Sequence, residues 1–158
     1  MRTIPKQFNL ADYYLFDRIA ENMGTRTAIR FGERTYRYAD VADKTLRTVD
    51  VLQTQGLRLG DRVYIVLPDI PPFAWAFFGA LKAGATVAMG NPLSKTEDLT
   101  YVIDYISPTV VITTDEVAAR LDAHFAGRRD QPKLLITPNP GTFDDPEALL
   151  GDPRCLAQ

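Results

Sequence analysis

The side chains that could do chemistry are few and scattered. The chain has one cysteine, Cys155, and one histidine, His124. A single thiol excludes an intramolecular disulfide and leaves a reducing compartment as the expectation. One Cys and one His cannot supply a metal cluster built of those ligands. A Cys–His nucleophile pair would have to bring a Pro-rich tail onto a polar, helix-like stretch, so Cys155 reads as structural or incidental. The paired acids Asp144-Asp145 sit among Pro and Gly residues and read as turn formers rather than an acid–base pair. Asp69 and Asp115 lie where strands end, the place for an acid or base in a small enzyme, but neither has a partner base in sequence. Ser94-Lys95-Thr96 follows a strand and opens a helix, which is where phosphate loops sit. Such a loop needs glycine just before its lysine so that backbone amides can face the phosphates. Here Ser94 takes that place and Pro92 removes an amide, so the stretch reads as a capping box, Ser94 with Glu97.

These residues are placed by a regular succession of elements. Asn9 is a candidate N-cap, and Leu10, Tyr13, Phe16, Ile19 and Met23 recur at helical spacing over 10–23, with Gly24 as the stop. Tyr13 and Tyr14 are expected in the core. Two β-prone runs, 28–31 and 34–38, flank Gly32-Glu33 and read as a hairpin. Residues 39–55 read as a second helix ending at Gly56. From residue 61 the pattern changes: short apolar runs at 62–67, 86–89, 110–113 and 134–136 alternate with helical stretches near 72–83, 94–106 and 116–126. The run Val63–Leu67 is apolar almost without interruption, as a strand covered on both faces requires. The helix holding Phe73, Trp75, Phe77, Phe78 and Leu81 is apolar nearly all round and must be covered on most sides. Gly79 and Gly84 read as close-packing positions.

The expected fold is therefore α/β: a mostly parallel, doubly wound sheet with helices on both faces and right-handed crossovers, preceded by a helix and a hairpin. Residues 1–137 form the expected α/β subdomain, and 138–158, rich in Pro, Gly and Asp, a linker or poorly ordered tail. The net charge is −2 and the longest positive run is Arg128-Arg129, so neither surplus nor motif speaks for nucleic acid. Residues 1–14 hold no apolar run of signal-peptide length. The most apolar stretch, 73–89, is broken by Lys82 and two glycines and reads as a buried helix and strand rather than a membrane span. A cytoplasmic protein is the expectation.

Three stretches, in order, resemble the start of the adenylate-forming enzymes, a superfamily of acyl- and aryl-CoA ligases, luciferases and peptide-synthetase adenylation domains. Arg34–Val41 is similar to the family's early T-Y-x-E-L element, with Asp40-Val41 in place of Glu-Leu. Gly60-Asp61-Arg62-Val63 is similar to the G-D-R-V that begins its first sheet strand. Leu81–Ala88 followed by Asn91-Pro92 is similar to its L-K-A-G-A…N-P element, with Met89-Gly90 in place of the usual Pro-containing pair. The opening Phe8-Asn9-Leu10-Ala11-Asp12 resembles that of benzoate-type CoA ligases, whose relatives act on hydroxybenzoates and anthranilate.

The resemblance implies a two-step reaction. ATP and a carboxylic acid, aromatic or other, give an acyl-adenylate and pyrophosphate; the CoA thiol then displaces AMP. ATP, Mg²⁺ and CoA are the implied cofactors of the full-length enzyme, and the remainder of the ligase chain is the implied partner. The family's phosphate-holding loop and its late catalytic lysine have no counterpart in 1–158. The segment is therefore expected to be inactive, to bind none of these cofactors tightly, and to carry no catalytic or metal-binding residue. One residue carries over: Lys82, at the Lys of L-K-A-G, implied to approach a CoA phosphate, against the plainer reading of a solvated lysine favourable with the helix dipole. The rival reading is a standalone flavodoxin-like module that binds a nucleotide or a protein. The two differ over helix 72–83: apolar surface left bare there, or dimerisation through it, would mark a missing neighbour.

Overall fold

The computed structural model describes residues 8–137. The linker expected over 138–158, with Asp144, Asp145 and Cys155, lies outside the described residues.

Asn9 caps the first helical segment as its type predicts: its Oδ1 accepts from the amides of Ala11 (2.9 Å) and Asp12 (3.3 Å). The expected helix over 10–23 forms, wound wide over Asp12–Phe16 and Ile19–Met23, with α-helical residues 17–18 joining the two. Its last turn is kinked at Glu21 and at Asn22, which takes φ 62°, a left-handed conformation that asparagine tolerates better than most residues. Gly24 ends the helix as expected, with φ −53° at the C-cap. Tyr13 and Tyr14 lie edge to face with centroids 4.9 Å apart, but Tyr14 is 55% exposed, so the pair is surface rather than core. Only Leu15 of the first turn is fully covered.

The hairpin forms as expected from β1 (Thr27–Phe31) and β2 (Arg34–Arg37), antiparallel across Gly32-Glu33. Helix α1 (Tyr38–Thr54) follows. At its end the Gly56 amide donates to Gln53 O and the Leu57 amide to Leu52 O, the paired closure that places glycine just past a helix.

The four apolar runs become β3 (Arg62–Val66), β4 (Thr86–Met89), β5 (Val110–Thr114) and β6 (Lys133–Thr137). They alternate with α2 (Pro71–Lys82), α3 (Thr96–Ile106) and α4 (Asp115–Phe125). All three strand pairings are parallel, and the order across the sheet is β4-β3-β5-β6. Pro71 and Pro72 open α2, where the first amides have no helical acceptor in any case. At its other end Gly84 takes φ 79°, and a Cβ there would come 2.4 Å from Leu59 Cδ1.

Side-chain alternation along the strands divides the core. Val63, Ile65, Val110, Ile112 and Leu135 face one side, with Trp75, Ala76 and Ala80 of α2, Val41 and Leu52 of α1, Leu15, and Tyr36 of the hairpin. Tyr64, Val66 and Val111 face the other, with Leu99 and Ile103 of α3 and Val117, Leu121 and Phe125 of α4. The step from β3 to β4 thus has its helix on one face. The steps to β5 and β6, in the opposite direction, have theirs on the other, as right-handed crossovers require.

No residue of α2 is exposed. Its cover is found within the chain, chiefly α1. Gly79 is the closest contact: a Cβ there would lie 2.7 Å from Thr48 Cγ2 and 3.3 Å from Thr45 O. The close-packing role read from Gly79 holds.

Candidate functional site

In an open parallel sheet, ligands are taken at the carboxyl ends of the strands, in the crevice where strand order reverses. Here β4 and β5, consecutive in sequence, lie on either side of β3, so the reversal falls between β3 and β5. Three loops surround it: Leu67–Ile70 after β3, Gly90–Lys95 after β4, and the junction of Thr114 with Asp115 after β5.

Asp69, exposed in the first loop, and Asp115, half-buried at the start of α4, stand one on each side of this reversal. Thr114 caps α4 with its hydroxyl, accepting from the Val117 amide at 3.5 Å. The buried Thr113 hydroxyl donates to Val66 O at 3.0 Å and ties the ends of β3 and β5 together.

The loop after β4 is held from two sides. Gly90 sits on the phenol of Tyr64, whose oxygen would be 2.2 Å from a Cβ at that position. Burial pushes the Tyr64 phenol above its ordinary value of 10.0, which keeps it neutral. From the other side comes Arg120 of α4. Its Nη1 donates to Pro92 O at 2.8 Å, its Nη2 donates to Ser94 O, and its Nε donates to the Thr96 hydroxyl at 3.3 Å. Within the loop the Asn91 side chain accepts from the Leu93 amide at 2.9 Å. The expected Ser94–Glu97 capping box does not form: α3 begins one residue later, Lys95 takes the N-cap position, and the Ser94 carbonyl is engaged by Arg120. Carbonyl oxygens gather around a guanidinium here, the reverse of a phosphate loop.

Lys82 ends α2, and its Nζ is paired with Asp12 and stands 4.8 Å from the centre of the Phe16 ring. Its side chain remains 31% exposed. Asn9 Nδ2 donates to Leu81 O at 2.7 Å one residue earlier, so the opening segment is fastened to the end of α2 at two points.

A second polar group lies at the opposite edge. Asp104 Oδ1 accepts from Arg128 Nη1 at 2.8 Å and is 3.1 Å from His124 Nε2. The Arg128 guanidinium, and after it His124, hold the Asp104 carboxyl below its ordinary 3.8, while Asp104 raises the Arg128 guanidinium above its ordinary value. Beside them a cavity of about 360 Å³ is lined by Gln55, Thr109, Gln131 and Lys133 among others. Thr109 precedes β5 and Lys133 begins β6, so the cavity is at the amino edge, away from the reversal. Among the described residues no three His, Cys, Asp or Glu side chains cluster as a metal site would need, and no helix is long and apolar enough to cross a membrane.

Arg120 carried no signal in sequence. It is one cation in a mixed helix whose apolar residues, Val117, Leu121 and Phe125, show which face is buried but not where a long side chain beside that face reaches.

The profile of the AMP-binding enzymes matches residues 16–154. The chain belongs to this family. It is similar to the long-chain-fatty-acid–CoA ligase of Bacillus subtilis, 34% identical over 90 residues that cover 57% of this chain and 16% of that protein. It is also similar to the 3-hydroxybenzoate–CoA/4-hydroxybenzoate–CoA ligase of Thauera aromatica, 29% identical over 133 residues, 84% of this chain and 25% of that one. Among solved structures, a benzoate CoA ligase from Burkholderia xenovorans LB400 superposes with a TM-score of 0.73 at 25% identity, covering 82% of this chain and 26% of that chain. The chain thus spans about a quarter or less of these AMP-binding relatives. The α/β fold read from the sequence as the partial N-terminal region of a larger ligase is the one these relatives share.

Proposed function

We propose that residues 1–137 are the N-terminal subdomain, and 138–158 a linker, of a cytoplasmic acid–CoA ligase that activates an aromatic or other carboxylic acid with ATP and transfers it to CoA. The observation that carries this reading is the family match over 16–154, together with relatives named for CoA-ligase activity. Aromatic acids are favoured by the benzoate-type opening Phe8–Asp12 and by hydroxybenzoate and benzoate ligases among the relatives. The part played by these 158 residues is architectural: they supply one sheet layer and a wall of a larger domain, and alone they form no thioester. Mg²⁺ would serve to neutralise the ATP phosphates, but residues 8–137 offer it no cluster of acids.

The test begins with the gene beyond codon 158. A reading frame that continues into a Ser/Thr/Gly-rich loop ending in Pro-Lys, and a product that releases pyrophosphate with benzoate or anthranilate and forms the CoA thioester, upholds the reading. A stop codon after Gln158 sinks it. The strand order β4-β3-β5-β6 and the cover of α2 from within the chain favour a second reading, a self-sufficient nucleotide- or protein-binding module. Saturable AMP binding by the 158-residue chain would support that one.

Lys82 as a CoA-phosphate contact belongs to the same proposal. A phosphate there must compete with Asp12 for the ammonium. In the whole ligase Lys82→Ala is expected to raise the Michaelis constant for CoA several-fold with little change in that for the acid. An unchanged constant for CoA removes Lys82 from the site.

A further inference from the structure

We propose that Arg120 is a positioning residue that straps the crevice at the strand-order reversal and sets its width. Arg120 is on α4, which follows β5, on one side of the reversal. Its acceptors are Pro92 O and Ser94 O in the loop after β4, on the other side with β3 between, and the hydroxyl of Thr96, which opens α3 directly after that loop. The guanidinium therefore joins the two sides of the crevice through three acceptors.

The chemistry of the contact fits a fixed spacing. A guanidinium presents its donors in a rigid planar fork, so engaging two carbonyls and a hydroxyl at once fixes the separation and angle of helix and loop. The two carbonyls belong to a loop with little freedom left. Gly90 is seated on Tyr64, and the Asn91 carbonyl accepts from the Ser94 amide at 3.0 Å. Held this way, the loop sends Leu93 outward, 89% exposed, and Met89 at the end of β4 is 58% exposed. A backbone fixed at both ends that displays apolar side chains is a preformed wall. What passes along it, acid or nucleotide, rests on the ligase reading; the strap itself does not.

The experiment therefore reads the loop in the 158-residue chain and not turnover. Backbone amide exchange would be followed by NMR in the parent chain, Arg120→Ala and Arg120→Lys. In Arg120→Ala the Ser94 and Leu99 amides, which close the loop and the first turn of α3, are expected to lose protection by about tenfold or more, while amides of β3 and β5 keep theirs. Arg120→Lys is expected to behave like Arg120→Ala, because a single ammonium cannot span three acceptors. Full rescue by lysine would mean that charge alone suffices, and the strap would be wrong. Uniform loss of protection across the sheet, or none in the loop, would also overturn it. Neither result bears on whether the gene continues into a ligase.

Discussion

The two faces of the sheet are covered by different means. On the α1–α2 face the cover is apolar and close: Trp75 is 1% exposed, its ring 5.7 Å from that of Tyr36, and Gly79 lets α1 approach until Thr48 fills the space of a missing methyl. On the α3–α4 face the core is mostly aliphatic, with Tyr64 and Phe125 as its aromatic members. The helix ends there are tied by long polar side chains: Arg62 donates to the Ile106 and Ser107 carbonyls at the end of α3, Arg120 grips the loop before it, and Arg128 joins Asp104. The difference separates what makes the sheet stable from what sets its loops. Dispersion and burial depend on volume and act on global stability. Directional bonds to backbone carbonyls act on local geometry and contribute modestly to the total.

The sharpest way to break this comparison is to truncate one fully buried side chain on each face. Trp75→Ala is expected to destabilise by about 3–5 kcal/mol, near the stability of a small domain, so the variant should be partly unfolded at room temperature. Leu121→Ala, on the other face and 0% exposed, should cost about 2–5 kcal/mol and leave a folded chain. Urea denaturation followed by circular dichroism measures both. If Leu121→Ala proves the more damaging, the apolar weight of the fold is not where the Trp75 face places it.

A second test concerns the closeness of α1 and α2. Gly79→Ala puts a methyl where Thr48 Cγ2 stands at 2.7 Å and Thr45 O at 3.3 Å, so the helices must separate. Overpacking of this kind costs about 1–3 kcal/mol. Thr48→Ala in the same chain removes the nearer clashing atom but keeps the Thr48 Cβ, 2.8 Å from the new methyl, so it is expected to recover only part of that loss, a coupling that two independent sites would not show. Simple additivity of the two substitutions would mean that the contact does not hold the helices at their present distance.

How much of this was legible before the structure follows the same division. The strands, their parallel pairing and the buried helix were written in apolar runs and their lengths, because burial on both faces leaves only apolar residues in a central strand. Gly79 and Gly84 were legible as packing positions. Misread were features decided by one side chain's conformation or reach. Tyr13 and Tyr14 lie at the surface, and Ser94 offers its carbonyl to Arg120 instead of its hydroxyl to a helix. Apolar spacing records which face of a helix is covered. It does not record where a guanidinium on a flexible stem ends, so neither Arg120 nor the Asp104–Arg128 pair could be placed from sequence.

The smallest expected effect tests the polar side of the comparison by pH. Asp104 is held below its ordinary 3.8, first by the Arg128 guanidinium and then by His124. A carboxyl whose folded value is depressed favours the folded state at pH values above its unfolded value, and that contribution disappears as pH falls through the folded value. Asp104→Asn removes it. The thermal midpoints of parent and variant should therefore differ at about pH 5 and converge as the pH is taken below the ordinary carboxylate range. The side chain is 44% exposed, so added salt should narrow the difference as well. A gap that persists at low pH would assign the effect to packing of the side chain, and the α3–α4 face would then be held less by charge than its Arg contacts imply.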